Sequence, residues 1–457
     1  MELTKTDKKP GGARSMTEGA PWKHILKFSL PVLAGSLLQQ LYNTVDTIIV
    51  GKYSGEDSLS AVGTTASLAF FFLAVAIGFS SGNGVVVAQH YGAGSEKKVR
   101  ANASVGILFL LGLGVICALV GMLTARPAYT YLLNVDKSIV DLTVKYFRWY
   151  CIGLVFQFGY NIFSAILRAV GDSAATLYFL LISSVLNIGL DLLFVAHFKM
   201  GVTGAAIATD ISQAASFTAA YAYMTKKYPM FRFKLSDFRW DSQMIKATIR
   251  IGFPISLQLM IVSFGLTFIQ RAVNEFGKVM TASATVGQRI EMYLNLPATA
   301  FQTTLATYTG QNIGAGKPER VKKGVKQALI IALSFTLFIS AMVTIFSGSI
   351  VTLFSLSDQA AEYCLLHLRA IALVNIVLTM YVPVFGVFQG SNHSAFPMIV
   401  ATVALGTRVL VTYLFRYSDI FGHTIIWWNG IFGFGMGFIV TWIYYLSGKW
   451  QNNAAIK

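Results

Sequence analysis

The sequence predicts an all-α integral membrane protein: twelve transmembrane helices in two six-helix bundles related by a pseudo-two-fold axis along the membrane normal. Three observations lead there. Hydrophobic residues make up 55% of the 457 positions and charged residues 12%, where a soluble domain is about a quarter charged. Apolar runs of about 18 residues or more recur along the whole length, long enough to cross a hydrocarbon core of about 30 Å as helices. The chain also repeats itself. Gln89-His90-Tyr91-Gly92-Ala93-Gly94 is answered 222 residues later by Gln311-Asn312-Ile313-Gly314-Ala315-Gly316. Pro31 and Pro254, Tyr146-Phe147-Arg148 and His367-Leu368-Arg369, and Ser173-Ala174 and Ser394-Ala395 keep nearly the same offset.

Residues 1–24 form a basic, polar lead whose Pro21-Trp22-Lys23 approaches the membrane interface. No cleavable signal peptide is expected, because the first apolar run is a full helix containing Pro31. An N-terminal lobe, 25–225, holds spans near 26–50, 60–88, 100–123, 139–168, 174–197 and 201–225. A basic linker, 226–243, carries aromatic anchors for the interface. The C-terminal lobe, 244–447, holds spans near 246–272, 281–310, 325–347, 360–388, 395–416 and 425–447, and 448–457 is a tail. Six helices is an even number, so the second half enters in the same orientation as the first and the axis lies along the membrane normal. A β-barrel is excluded, because its strands would alternate polar and apolar over about ten residues.

The net charge of +16 reports topology. Most of the 36 Lys and Arg fall in segments that face the cytoplasm when both termini are placed there, which is the positive-inside pattern. A nucleic-acid partner is therefore not expected, and lipids are the expected surroundings. No nucleotide partner is expected either. A P-loop needs Gly-Lys followed by Ser or Thr to hold Mg²⁺, whereas Gly51-Lys52, Gly277-Lys278, Gly316-Lys317 and Gly448-Lys449 are followed by Tyr, Val, Pro and Trp. The duplicated Gly-Ala-Gly reads instead as a helix end, where glycine takes left-handed backbone angles. Metalloprotease and Cys-x-x-Cys signatures are missing, so no enzyme and no cofactor is expected. Cys117, Cys151 and Cys364 fall in apolar segments as buried thiols.

Acids inside apolar spans are few: Asp46, Asp191, Asp210 and Glu291. An ionised carboxylate at a helix centre costs about 2.5–3.5 kcal/mol even on lenient scales, so each needs a reason. Asp46 shares a helical face with Gln39, Tyr42 and Asn43, and Pro31 lies above that stripe, where it can bend the helix. Asp191 sits one turn after Asn187, and Thr209 and Gln213 are likewise paired. Asp46, Asn187, Asp191 and Thr209 would supply hard oxygen ligands for Na⁺, or two carboxylates whose repulsion makes one hold a proton. The second half keeps the scaffold without the acids. Asn187 maps onto Arg408, Asp191 onto Thr412 and Asp46 onto Ile269. A cation site is expected in the first half alone, with Arg408 and Glu291 pairing structurally in the second.

Leu41-Tyr42-Asn43-Thr44-Val45-Asp46-Thr47, both Gln-x-x-Gly-Ala-Gly helix ends, Arg168-Ala169-Val170-Gly171-Asp172 and Asn187-Ile188-Gly189-Leu190-Asp191 resemble the multidrug and toxic compound extrusion (MATE) transporters, in their bacterial DinF-like branch. The likeness covers residues 20–447. It implies secondary antiport in the plasma membrane, driven by H⁺ or Na⁺ and exporting cationic amphiphiles. It also implies an N-lobe cation site at Asp46, Asn187, Asp191 and Thr209. The NorM-like branch has an acid in the seventh helix, where this chain has Gln258 and Gln270. A monomer is expected. The alternative is a flippase for a lipid-linked saccharide of the same superfamily. Its polyanionic headgroup would call for a cleft lined by Arg and Lys, of which Lys145, Arg148, Arg289, Arg369 and Arg408 fall well inside spans and the others at span ends or outside them.

Overall fold

The computed structural model describes residues 15–354 and 356–451. Among them there is no strand. The helices are α1 (Pro21–Gly92), α2 (Glu96–Pro127), α3 (Val140–Ala169), α4 (Ser173–Asp191), α5 (Gly201–Lys227), α6 (Ser242–Glu275) and α7 (Gly277–Leu294). They continue with α8 (Leu296–Gly314), α9 (Pro318–Ile345), the short α10 (Ser347–Thr352), α11 (Asp358–Thr379), α12 (Val382–Gly390), α13 (Ala395–Phe415) and α14 (Ile425–Leu446).

Twelve spans are present, and the backbone divides them differently from the sequence expectation. The first two expected spans form the single run α1, interrupted only where Gly55 takes φ 82°, an angle that a side chain would disfavour. Helical dihedrals continue through Pro31. Two other expected spans are each cut by a proline. Pro297 opens α8 after Leu294, and Pro383 opens α12 after Thr379. Proline is favoured in a first helical turn because it has no N–H to leave unpaired. Nine helical stretches among the described residues are long and apolar enough to cross a membrane, α1 being long enough for two. The α5 helix and the α7–α8 pair complete the twelve with more Ser, Thr and Gln.

The chain forms two compact units, Leu30–Ser256 and Leu257 onward, with Met16–Ser29 grouped in the second. In the first unit, α2 and α5 pack on α3 around Phe163, Ile162 and Leu167. The same unit brings α1 and α6 together through glycines: a Cβ on Gly82 would lie 2.7 Å from the Gly252 nitrogen. Small residues let membrane helices approach this closely. In the second unit, α8 packs on α9 and α12, and α13 on α14.

Both Gly-Ala-Gly segments are helix ends. Ser95 N donates to His90 O at 3.1 Å and Lys317 N to Asn312 O at 2.8 Å, with Gly94 and Gly316 at φ 74° and 70°. This pattern caps the last carbonyls of a helix. In each unit the basic segment after the turn grips a loop. Arg320 donates to the carbonyls of Met16, Glu18 and Gly19, while Gln311 Oε1 accepts from Met16 N at 2.8 Å. In the first unit Arg100 donates to Met230 O and Arg232 O and pairs with Asp237 at 2.6 Å. The linker is thus strapped to the start of α2.

Candidate functional site

The acids of the first unit converge. Asp46 comes from α1, Asn187 and Asp191 from one turn of α4, and Thr209 from α5. Asp191 and Asn187 are fully buried, and Asp46 is half-buried. The Asp46 and Asp191 carboxylates lie within hydrogen-bond reach of each other. The Asn187 side chain orients Asp191. With its nitrogen turned towards the acid it donates to Asp191 Oδ2 at 2.8 Å, and its oxygen accepts from the Thr209 backbone N–H at 3.2 Å. Thr209 Oγ1 donates to Ala205 O at 3.0 Å and lies within hydrogen-bond reach of the Tyr42 hydroxyl. Val45, Ile49, Val50, Ile188, Val195 and Ala205 pack beside these groups as an apolar cluster.

Two carboxylates this close can stay together only with a proton or a cation between them. Among the described residues no Lys or Arg forms an ion pair with either acid. One oxygen of each, Asp46 Oδ1 and Asp191 Oδ1, has no hydrogen-bond partner among the described residues. With the Asn187 oxygen taken up by the Thr209 N–H, the two carboxylates and the Thr209 hydroxyl form a hard-oxygen donor set that suits Na⁺ as well as a proton.

The other residues expected at this face are less engaged. Gln39 and Asn43 are exposed and Gln213 is half-buried, and none of their side chains has a hydrogen bond among the described residues. Tyr146 of α3 was missed by the sequence argument. It belongs to the same apolar cluster and interacts electrostatically with Asp46, Tyr42 and Asp191. The repeat held the signal, since Tyr146 answers the buried His367, and a polar aromatic stands at that position in both halves. Asp210 is buried against α3, where a Cβ on Gly153 would lie 2.0 Å from its Oδ1. Only a glycine leaves room for it.

The expected Glu291–Arg408 pair is corrected by the structure. Arg408 Nε donates to Asn429 Oδ1 at 2.8 Å and its guanidinium lies 4.9 Å from the Phe434 ring centroid. Gly433 admits the stem of Arg408, whose Cγ would be 2.2 Å from a Cβ there. Both partners and the glycine lie on α14, which packs along α13, so the guanidinium is satisfied by a neighbouring helix. Glu291 has no ion pair among the described residues.

Outside the membrane spans, Asp172 is the best-defined charged centre. It caps α4 by accepting from Ala175 N, and its Oδ2 accepts from Lys227 at 2.8 Å and Tyr228 at 2.7 Å. Burial alone would raise its pKa, but the hydrogen bonds from Lys227, Tyr228 and Tyr223 and the charge of Lys227 outweigh it and hold the carboxyl below its ordinary value. This ties the Arg168–Asp172 turn to the end of α5.

The MatE family model matches residues 31–193 and 254–414, one stretch in each half. The probable multidrug resistance protein NorM of Thermotoga maritima is 26% identical over 448 residues, covering 95% of this chain and 94% of its own. The probable multidrug resistance protein YpnP of Bacillus subtilis is 29% identical over 310 residues, covering 68% and 69%. Among solved structures, MATE in complex with MaL6 superposes with a TM-score of 0.89 at 25% identity, covering 95% of this chain and 97% of that one.

Proposed function

Since this chain belongs to the MatE family of membrane transporters, we propose that it is a secondary active antiporter exporting cationic, amphiphilic drugs or toxic compounds in exchange for H⁺ or Na⁺. The observation that carries the reading is the Asp46–Asp191 pair, in which Asn187 orients Asp191, flanked by Thr209 and Tyr42. Relatives described as probable multidrug resistance proteins support drugs as the substrates. The protein works as a monomer in the bacterial cytoplasmic membrane, with both termini inside.

Asp46 sits on the first helix and Asp191 on the fourth, so a cation between them joins two helices that otherwise repel through their carboxylates. Loading the pair from outside neutralises the acids and removes the cost of keeping charge out of water. Unloading it to the cytoplasm restores negative charge in the lobe, which favours capture of the next organic cation. Pro31 leaves one carbonyl of α1 without its usual donor, so bending there costs little and changes the surroundings of Asp46. The drive is adequate: about 1.4 kcal/mol per pH unit, and about 2.3 kcal/mol per charge at 100 mV.

The flippase alternative needs unoccupied cations for a phosphate-linked headgroup. Arg408 is committed to Asn429 and Phe434, which removes one cation of the spans from such a role. Transport by purified protein in liposomes, with a pH gradient and a Na⁺ gradient imposed separately, tests the proposal. Accumulation of an organic cation should follow one of the two gradients, and indifference to both would overturn the coupling.

A further inference from the structure

The first unit carries a second feature that the acid pair does not use. A cavity of about 520 Å³ lies between α2 and α3, at the ends joined by residues 128–139, and includes none of the acid-pair residues. Leu123 and Arg126 of α2 line one side, and Asp141, Lys145, Arg148 and Trp149 of α3 line the other. The helical register explains the grouping. Residues 116, 119 and 123 on α2 recur at three and four positions, as do 141, 145, 148 and 152 on α3, so each set forms one stripe.

The two stripes differ in chemistry along their length. Ile116, Leu119 and Leu123 are exposed apolar side chains leading up α2 to the cavity, and Ile152 does the same on α3. At the cavity the lining turns cationic. Arg126 is held by Asp141 at 3.1 Å, whereas Lys145 and Arg148 make no ion pair or hydrogen bond among the described residues. Trp149 is exposed beside them, as an aromatic at a membrane interface would be. The charge balance also implies that these ends of α2 and α3 face outside, where the positive-inside bias disfavours a cluster of three cations.

We propose that this groove binds an anionic phospholipid of the outer leaflet, with its phosphate against Lys145 and Arg148 and an acyl chain along Ile116, Leu119 and Leu123. Two unpaired cations would repel the organic cations that the protein is proposed to export, so the groove is not a substrate site. The apolar stripe that continues from it distinguishes a lipid from a free anion. Arg126, neutralised by Asp141, closes the groove without adding net charge. The inference does not depend on the coupling ion.

The test uses full-length protein reconstituted in equimolar phosphatidylglycerol and phosphatidylcholine, then stripped in detergent and weighed intact by native mass spectrometry. Wild-type protein should retain phosphatidylglycerol in preference to phosphatidylcholine. Lys145→Gln with Arg148→Gln should lower that preference by up to about thirtyfold, the order expected for two cations near a lipid surface. Lys278→Gln, an exposed cation outside the groove, should leave it unchanged. Both altered side chains are exposed, and equal melting in phosphatidylcholine alone will show that the double variant is folded. An unchanged preference in the double variant would overturn the assignment. So would displacement of the retained phosphatidylglycerol by millimolar inorganic phosphate, since that describes a small-anion site.

Discussion

Replacing either acid of the pair with its amide separates coupling from folding, and the structure gives a size for both effects. Asp191 accepts from Asn187 at 2.8 Å through one oxygen while the other has no partner among the described residues. In Asp191→Asn the new carbonyl can accept the same hydrogen bond, so the stability change should stay within about 1 kcal/mol. Asp191→Ala instead leaves the buried Asn187 amide without its acceptor, at a cost of about 1–3 kcal/mol. Asp46→Asn is milder still for folding, because Asp46 is only half-buried. Coupling responds in the opposite way. If one proton is exchanged per organic cation, a pH unit is worth about 1.4 kcal/mol and holds about a tenfold substrate gradient. With no carboxylate pair to load, that gradient should collapse towards one.

The assay is accumulation of a fluorescent organic cation in proteoliposomes at zero membrane potential, across a one-unit pH step and separately across a tenfold Na⁺ step. Wild-type protein should reach about tenfold with the coupling ion, and both amide variants should equilibrate. Melting temperatures in detergent should rank wild type, the amides and then Asp191→Ala. If Asp46→Asn and Asp191→Asn both sustain the wild-type gradient, the pair is structural and the coupling site lies elsewhere.

Export in cells should stop when the ion gradients are dissipated even while ATP stays high, and persistent export in uncoupled, ATP-replete vesicles would contradict the absence of a nucleotide motif. Pro31→Ala should lower transport while Pro254→Ala lowers it little, because the acid that follows Pro254 on its helix, Glu275, is paired with Arg416, whereas Asp46 has no basic partner among the described residues; equal mild losses would reduce both prolines to packing. Asp172→Ala should destabilise the protein by on the order of 2 kcal/mol through loss of the α4 cap and the Lys227 hydrogen bond. Because the folded Asp172 carboxyl titrates below its ordinary value, that stability is fully present above about pH 4 and is lost as pH falls through the folded value. The melting difference between wild type and Asp172→Asn should therefore shrink on acidification, and a constant difference would show that the charge of Asp172 is not involved.

The number and length of the spans were legible because each needs an uninterrupted apolar run. The repeat marked both helix ends with the same Gly-Ala-Gly. Where spans would break was less legible, though the cause lay in view: Pro297 and Pro383 open new helices, and Gly55 interrupts α1. The grouping of Asp46 with Asn187, Asp191 and Thr209 could be suspected from spacing. Spacing did not place Tyr146 there, because its position depends on how α3 packs beside α4; only its repeat partner His367 marked it. Arg408 was misassigned for a related reason. A half-buried guanidinium needs an acceptor but not an acid, and the neutral Asn429 one helix away serves, with Gly433 making the room.

The duplicated helix end has a use that neither half reveals alone. In the second unit the residues around Gly314–Gly316 hold the backbone of Met16–Gly19, the segment that leads into α1. In the first unit Arg100, just after Gly94, holds residues 230–237, the segment that leads into α6. Each clasp therefore anchors the lead of a helix that begins the other half of the sequence, and that explains why Met16–Ser29 groups with the later residues. Both leads run into a helix with a proline near its start, Pro31 in α1 and Pro254 in α6. Anchoring a helix just before its proline fixes one arm of a potential bend and leaves the other arm to move, which is the arrangement a hinge requires. Under the proposed coupling, only the helix that carries Asp46 has an acid pair through which such an arrangement could act.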